Sequence, residues 1–202
     1  MIQKVSKTKE RQEGLSQARY KEGNTQILLH FCKKDIVLEQ HKHKQVQFGY
    51  TFYGKYHFLI DKDEDILFYI NNSHSYILSS YIYHKAVALT DYYALDIKYY
   101  GEVEKRIYLN YEFPSDKANT QTFLLNGDNI KITVNKVLKN TNFKLDKGTN
   151  LILTKNQCIV SLDKKNSEIL PMEIYKIDSV VKTVFHECNM NEMLIINLED
   201  KS

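Results

Sequence analysis

The sequence predicts an all-β protein, a sandwich or barrel of short strands, and two observations lead to this fold class. Residues that favour strands are abundant, with 15 Tyr and 9 Phe among 202 residues, while only two prolines interrupt the chain. Short apolar runs alternate with short polar gaps, and no apolar pattern reaches the length of a long helix. With 43% hydrophobic residues, the chain can bury a substantial core.

The strands are expected from Thr25 onward, where the short apolar runs begin. In chain order, the runs of the first half span residues 26–32, 36–43, 46–53, 55–60, 65–70, 76–82, 85–89 and 92–99. The gaps between them are short and polar, as at Asn71-Asn72-Ser73, and are typical of tight turns. The residues before Thr25 carry mixed charge, and their pattern leaves open an arm, a short helix or a polar edge strand.

The composition limits the partners and the compartment. The net charge is only +3, and the arginines available for bidentate phosphate or guanine contacts are Arg11, Arg19 and Arg106, so nucleic acid is not the expected partner. No run approaches the length of a membrane-spanning helix, and the polar N-terminus lacks the apolar core of a signal peptide. Three cysteines without CxxC spacing fit small buried side chains in a reducing setting. We therefore expect a cytoplasmic protein without a membrane partner.

One stretch carries the candidate chemistry: His41 and His43 lie two residues apart, and Gln47 follows. Residues i and i+2 of a strand point to the same face, so the two imidazoles could bind one ion. His84 lies between two predicted strands, and an antiparallel barrel can return it beside His43. His41, His43, Gln47 and His84 together form a candidate metal site. The alternative is that the histidine pair is a surface or structural feature.

The same residues resemble the first cupin motif, in which H-x-H is followed by three or four residues, an acid or Gln, six residues and Gly. The residues that fit this pattern without a gap are His41, His43, Gln47 and Gly54. Residues 73–84 resemble the second cupin motif more loosely, and that motif supplies the last histidine. The resemblance implies a jelly-roll barrel, also called a double-stranded β-helix. It further implies one divalent ion, Fe²⁺, Co²⁺, Ni²⁺, Zn²⁺ or Mn²⁺, held by His41, His43, Gln47 and His84.

A faint internal repeat predicts a second barrel. A shift of 101 residues places Tyr50-Thr51-Phe52 on Leu151-Ile152-Leu153, and it places residues 94–97 on residues 195–198. We therefore expect two tandem cupin barrels, residues 1–108 and 109–202. The four ligand positions fall on Asn142, Lys144, Gly148 and Phe185 in this register. The second barrel is accordingly expected to be degenerate and to lack metal ligands.

Residues 25–100 are most similar to the bicupin isomerases of bacilysin biosynthesis, whose metal is likewise held by His, His, Gln and His. This resemblance implies a bicupin isomerase of specialised-metabolite biosynthesis. The chain departs from those enzymes in its second half, because their second domain also has a metal-binding pattern.

The expected ligand set favours one type of chemistry. Three neutral imidazoles and a neutral amide leave a divalent ion its full charge, which makes it a strong Lewis acid and gives less support to a trivalent state. We therefore expect Lewis-acid-assisted proton transfer, of isomerase, tautomerase or lyase type, on a small carboxylate or keto substrate. A cupin dioxygenase or oxidase and a non-catalytic metabolite-binding cupin are the alternatives, and a homodimer is left open.

Three further residues are candidates for catalysis. Asp96 lies between Leu95 and Ile97 on the last predicted strand of the first barrel, and the small pectin-degradation cupins have a similar Leu-Asp segment that implies an acid/base role. Lys98 could hold a substrate carboxylate. Strand parity from Gln47 places Tyr53 on the inner face, where it could donate a hydrogen bond. The alternatives are a structural salt bridge between Asp96 and a lysine, and a solvated Lys98.

Overall fold

The computed structural model describes residues 1–61, 66–102, 107–109, 115–117, 120–137, 142–162, 165–177, 182–186 and 193–201. The chain divides into two compact units, called here the first unit (Thr8–Glu112) and the second unit (Met1–Lys7 together with Phe113–Ser202). Within the described part of the chain, no helix is long and apolar enough to span a lipid bilayer.

The described residues form strands of three to eight residues, as the alternating apolar runs predict. In chain order they are β1 (Ile2–Lys4), β2 (Thr8–Gln12), β3 (Leu15–Glu22), β4 (Thr25–Cys32), β5 (Val37–His41), β6 (Val46–Tyr53), β7 (Tyr56–Ile60), β8 (Ile66–Ile70), β9 (Ser75–Leu78), β10 (His84–Ala88), β11 (Tyr92–Tyr99), β12 (Ile107–Leu109), β13 (Ser115–Lys117), β14 (Thr120–Asn126), β15 (Ile130–Val137), β16 (Asn142–Lys144), β17 (Thr149–Thr154), β18 (Cys158–Leu162), β19 (Lys165–Ile169), β20 (Tyr175–Ile177), β21 (Lys182–His186) and β22 (Met193–Asp200).

The first unit is a sandwich of two antiparallel sheets. Seven strands form one sheet in the order β12-β9-β6-β11-β4-β3-β2, and four form the other in the order β5-β10-β7-β8. Side chains alternate between the two faces of a strand, so every second residue of both sheets points into the space between them. The buried core residues there are Leu15, Cys32, Tyr56, Phe58, Ile60, Ile70, Tyr76, Leu78, Ala86, Ala88, Tyr92 and Ala94.

Strand β6 contains a bulge near its end. Tyr93 of β11 pairs with Tyr53, but the next residue, Ala94, pairs with Thr51. Phe52 is therefore an extra residue, and the side-chain alternation of β6 changes phase there. The strand ends at Tyr53, and Gly54 follows with a φ of 94°, in the left-handed region that glycine adopts without strain.

The second unit repeats this design. Its sheets have the orders β1-β20-β17-β22-β15-β14-β13 and β16-β21-β18-β19, so β1 takes the place that β12 has in the first unit. Leu95 pairs with Tyr50 in the first unit, and Ile196 pairs with Leu151 in the second, which is the register that the shift of 101 residues predicts. The predicted all-β fold class is confirmed.

The first strand of the chain belongs to the second unit. Strand β1 pairs with β20, and its Ile2 packs against the apolar core of the second unit. Strand β12 pairs with β9 of the first unit, so the predicted division after residue 108 falls inside a strand of that unit. The first 22 residues, whose form the sequence left open, contribute β1, β2 and β3.

Candidate metal centre

Three histidine rings of the first unit converge. His41 ends β5 and His84 begins β10, and the two residues pair across these neighbouring strands. His43 lies in the loop after β5, beyond the end of the strand that the sequence predicted through this residue. The ring centroid of His84 lies 4.3 Å from that of His41 and 5.0 Å from that of His43. One ligand nitrogen of each ring lies within 4.8 Å of the other two, which is a geometry that could hold one metal ion.

Each of the three rings is held in one tautomer. Nδ1 lies 2.8 Å from the carbonyl oxygen of Glu39 in His41, 2.8 Å from that of Gln45 in His43, and 2.9 Å from that of Ile82 in His84. A carbonyl oxygen only accepts, so each Nδ1 carries the proton and donates it. With the proton on Nδ1, each ring presents its Nε2 lone pair as a possible metal ligand, as in established metal sites.

Burial keeps two of these rings neutral. The pKa of His84 is lowered to about 3, first by burial and then by the neighbouring His41, His43 and Lys98. The pKa of His43 is also lowered, first by burial and then by the positive charge of Lys98. Neutral imidazoles are the form that binds metal ions.

Gln47 completes the cluster. Its Oε1 lies 2.8 Å from Nε2 of His43. Because Nδ1 of His43 already carries the proton of the neutral ring, this contact joins two lone pairs, an arrangement that a cation between them stabilises. Two ligands about 2.1 Å from one ion lie about 3.0 Å apart when they subtend a right angle, so the spacing fits shared coordination. The donor set of three imidazoles and an amide oxygen therefore fits a divalent transition metal.

A buried network orients Gln47. Its Nε2 donates to the hydroxyl of Tyr76 at 2.9 Å, and that hydroxyl donates to Oδ1 of Asp96, also at 2.9 Å. Gly49 lies between Tyr76 and Asp96 in the sheet. A Cβ at Gly49 would lie only 2.0 Å from Cζ of Tyr76. The tyrosine ring can therefore occupy this position only because residue 49 has no side chain.

Asp96 is also bound on its other side, by a histidine that the sequence analysis did not single out. Nε2 of His30 lies 2.8 Å from Oδ2 of Asp96. Gln17 donates from Nε2 to Nδ1 of His30 at 3.1 Å, and Arg19 donates to Oε1 of Gln17 at 3.2 Å. His30 could have been identified from its position on β4, two residues from Leu28, which pairs with Asp96. That pairing is known only once the strand register is known.

The surroundings of Asp96 and Lys98 differ from the sequence expectation. Burial raises the pKa of Asp96, but its interactions with His30, Lys98 and Tyr76 outweigh this effect, and the net pKa is lowered. The buried partner of Asp96 is thus His30, which donates a hydrogen bond from Nε2, where the sequence suggested a salt bridge to a lysine. Lys98 is half-buried, and burial lowers its pKa.

Tyr53 lies on a different face from the one that strand parity predicted. The bulge at Phe52 places Tyr53 opposite Tyr93, with their ring centroids 6.1 Å apart. Tyr93 points away from the side of β11 that carries Asp96 and Lys98. Tyr53 is absent from the residues that line the cavity described next, so its catalytic role stays a prediction that this geometry does not support.

A cavity of about 400 Å³ lies between the two sheets of the first unit, next to the histidines. Its lining includes His41, His84, Gln47, Asp96 and Lys98. Arg19, Gln17 and His30 contribute further polar groups, and apolar side chains such as Leu28 and Phe58 form the rest. This size and mixture suit a small molecule with a few polar atoms.

The corresponding part of the second unit is built differently. Asn197 and Asn150 pair in the register positions of Asp96 and Gly49. Asn197 donates to the carbonyl oxygen of Lys147 at 2.9 Å, and Asn150 donates to that of Asp146 at 2.9 Å. These amides hold the loop that corresponds to the Gln47 region. The side chains at positions 142 and 185, two of the predicted ligand counterparts, lie outside the described residues.

Comparison with known proteins supports the fold. No model of a known protein family matches the chain, and no curated protein matches it. Among solved structures, AerE from Microcystis aeruginosa is similar with a TM-score of 0.69 and 16% identity, over 98% of each chain. A cupin 2 conserved barrel domain protein from Leptotrichia buccalis has a TM-score of 0.63 and 16% identity, over 95% of this chain and 92% of its own. Oxalate decarboxylase of Bacillus subtilis, which has Mn(II) centres, has a TM-score of 0.60 and 11% identity, over all of this chain and 78% of its own.

The chain therefore has the cupin fold, with the jelly-roll sandwich occurring twice. At these identities the likeness establishes the architecture. The histidine cluster of the first unit stands where the cupin resemblance of the sequence placed a metal site.

Proposed function

We propose that the protein is a metal-dependent cupin enzyme that moves a proton within a small carboxylate or keto acid. The observation that carries the proposal is the convergence of three Nε2 lone pairs and the Gln47 oxygen beside a cavity that also contains Lys98 and Asp96. His41, His43, Gln47 and His84 would hold one divalent ion, of the group Fe²⁺, Co²⁺, Ni²⁺, Zn²⁺ and Mn²⁺. When bound, the ion supplies Lewis-acid polarisation of a substrate oxygen.

The cationic side chains of the cavity support an anionic substrate. Lys98 pairs with Gln47 across β11 and β6, so its ammonium approaches the ligand cluster, and its charge lowers the pKa values of His43 and His84. Arg19 lines the same cavity two residues from Gln17 on β3. A carboxylate bound there would gain charge-assisted hydrogen bonds. The cavity volume of about 400 Å³ limits the substrate to a small molecule.

Asp96 is the proposed proton-transfer residue. It is ionised and lines the cavity, and each of its oxygens accepts one hydrogen bond in the protein. A carboxylate oxygen has a further lone pair, so Oδ1 or Oδ2 can still accept a proton from a substrate carbon. The lowered pKa of Asp96 makes it a weak base, which suits a substrate whose carbon acid is strengthened by polarisation of the neighbouring carbonyl.

The likeness of the sequence to bicupin isomerases supports an isomerase or tautomerase more than an oxygenase. The uncharged ligand set supports the same choice, because it favours polarisation over oxidation of the ion. A place in specialised-metabolite biosynthesis is part of this proposal.

The test is carbon–hydrogen exchange in the metal-loaded protein. A panel of small keto acids, beginning with pyruvate, is incubated in D₂O, and deuterium incorporation next to the carbonyl is followed by NMR. We expect exchange with wild type, and at least a ~100-fold slower rate with Asp96→Asn at saturating metal, the scale of a lost general base. His41→Ala provides the metal-site control.

Other outcomes separate the alternatives. Oxygen consumption without exchange would instead support a cupin dioxygenase or oxidase. Binding of the acids with neither exchange nor oxygen consumption would support a non-catalytic metabolite-binding cupin.

A further inference from the structure

We propose that Tyr76 and Asp96 are positioning residues that aim the amide oxygen of Gln47 at the cation site and exclude a carboxylate from position 47. This inference rests on the metal-binding part of the proposed function. It concerns the direction of two buried hydrogen bonds, which decides what kind of side chain can act as the fourth ligand.

The direction of these bonds follows from the protons available. The carboxylate of Asp96 only accepts, so the hydroxyl of Tyr76 donates its single proton to Oδ1 at 2.9 Å. The oxygen of Tyr76 is then left as an acceptor. The group that faces it at 2.9 Å must donate, and Nε2 of Gln47 does so. The amide oxygen of Gln47 is consequently turned to Nε2 of His43.

Because these groups are buried, the number of protons available within the network decides which hydrogen bonds can form. Gln47, Tyr76 and Asp96 are only 2%, 3% and 8% exposed, so bulk water does not replace a missing partner. Glutamate at position 47 would be a second acceptor facing Tyr76, and one hydroxyl proton cannot serve two carboxylates. One of the two oxygens that face Tyr76 would then be buried without a donor, which is unfavourable.

Gly49 independently supports the contacts that Tyr76 makes with Gln47 and Asp96. It pairs with Tyr76 on one side and with Asp96 on the other. Any side chain at Gly49 would collide with the tyrosine, since a Cβ would lie 2.0 Å from Cζ and 2.5 Å from the hydroxyl oxygen. The hydroxyl therefore reaches both Gln47 and Asp96 only because residue 49 is glycine.

Reversing the network should permit the excluded ligand. Asparagine at position 96 can accept from Nε2 of His30 with Oδ1 and donate to Tyr76 with Nδ2. The hydroxyl of Tyr76 would then donate to a glutamate at position 47, and every buried group would again be satisfied. Gln47→Glu and Asp96→Asn are thus expected to compensate each other.

The experiment is a double-mutant cycle with Co²⁺ as the probe metal. Affinity is measured by calorimetry, and the visible absorption of Co²⁺ reports the ligand geometry, for wild type, Gln47→Glu, Asp96→Asn and the double variant. We expect Asp96→Asn to weaken Co²⁺ binding about tenfold or more in the native background, the usual effect of losing a group that orients a ligand. In the Gln47→Glu background the same change should cause no loss.

A third variant distinguishes the hydrogen bonds from simple charge repulsion between positions 47 and 96. Tyr76→Phe removes one oxygen and no charge, and we expect it to weaken Co²⁺ binding by about tenfold. It should also abolish the coupling between the two positions. Tyr50→Phe, which removes a hydroxyl from the opposite face of β6, is the matched control and should leave the affinity unchanged.

The outcomes are separable. Equal losses from Asp96→Asn in both backgrounds, or coupling that persists in Tyr76→Phe, would overturn the positioning role and leave the metal site standing. Failure of folded wild type to bind Co²⁺ would overturn the proposed metal-dependent function, and the inference with it. Thermal unfolding of each metal-free variant verifies that a lost affinity is not a lost fold.

Discussion

At the scale of single residues, Asp96 joins the hydrogen-bond network behind Gln47 to the stability of the first unit. It is buried, ionised, and hydrogen-bonded by both His30 and Tyr76. A carboxylate held in this way stabilises the folded state only while it is charged. The protein should therefore show an acid-dependent loss of stability that depends on this residue.

The first prediction concerns this pH dependence. The pKa of Asp96 is lowered in the folded state from its ordinary value of 3.8, so its contribution is complete above that value and is lost as the pH falls below it. Asp96→Asn should cost about 1.5–3 kcal/mol in unfolding free energy at neutral pH, since hydrogen bonds to a charged group are removed. The difference from wild type should shrink in acid.

Urea titrations of the metal-free protein at several pH values test this prediction. Asp128→Asn, at an exposed position, is the control. A difference in unfolding free energy that does not depend on pH would contradict the prediction.

Gly49 supports a second prediction at this scale. In Gly49→Ala the new methyl group would overlap the ring of Tyr76, at 2.0 Å from Cζ. We expect a loss of about 1–3 kcal/mol of unfolding free energy from overpacking, and weaker Co²⁺ binding because the hydroxyl of Tyr76 moves from Gln47. Urea unfolding and calorimetry measure the two effects.

Gly23→Ala is the control for this change. A Cβ at Gly23 meets nothing within 4 Å, so its cost is confined to the left-handed φ of 54°. Co²⁺ affinity that is unchanged in Gly49→Ala would show that Tyr76 can relax without consequence for the site.

The clustering of the histidines with Gln47 was predictable from the sequence where it depends on local spacing. H-x-H followed by Gln and Gly is a local pattern, and it identified His41, His43 and Gln47. The network behind the ligands was not predictable in this way. His30 and Tyr76 reach Asp96 through the register of β4, β11, β6 and β9, and a one-residue change of that register would turn these side chains away.

At the scale of elements, the bulge in β6 explains why side-chain alternation predicted the wrong face for Tyr53. Alternation from Gln47 holds as far as Thr51, whose hydroxyl lies 3.2 Å from that of Tyr56 in the core. The bulge at Phe52 then changes the phase, and Tyr53 faces Tyr93 on the other side. Bulges depend on the partner strand, so strand periodicity alone does not reveal them.

Strand β1 gives the third prediction. It adds three residues to the edge of β20, and the contact continues where Val5 donates to the carbonyl of Ile174 at 2.9 Å. Deletion of residues 1–7 should lower the unfolding free energy of the second unit by about 2–4 kcal/mol, from the lost ladder and the burial of Ile2. Co²⁺ binding by the first unit should be retained.

Hydrogen exchange measures this effect locally. The amides of β20 should exchange faster in the shortened chain, while those of β6 and β11 keep their protection. Lys4→Ala is the matched control, because it removes only the partly exposed ion pair with Glu173 and should cost less than about 1 kcal/mol. Equal protection of β20 with and without β1 would contradict the prediction.

At the scale of the whole molecule, the two units share one strand order but differ at the ligand positions. The all-β class and the tandem repeat were predictable, since alternation and turn spacing are local properties and the repeat shows in the register of β6 and β11. The place of β1 in the second unit was not predictable, because short polar edge strands carry no distinctive pattern.

The fourth prediction follows from this asymmetry. We expect one divalent ion per chain, because the second unit has Lys144 and Gly148 where the first has His43 and Gln47 in the repeat register. Elemental analysis of the purified protein measures the ratio. His41→Ala should remove most of the metal, whereas His74→Ala, outside the cluster, should retain it. A ratio near two would show that the second unit binds metal through other residues.

The pairing of β1 with β20 also sets an order of events during synthesis. Lys4 of β1 and Glu173 next to β20 are bonded although they are 169 positions apart in the chain. At roughly 5–20 residues per second, β1 leaves the ribosome on the order of ten seconds before its partner strand is made. The first unit can assemble its histidine cluster during that interval, while β1 waits for β20 until the last part of the polypeptide emerges.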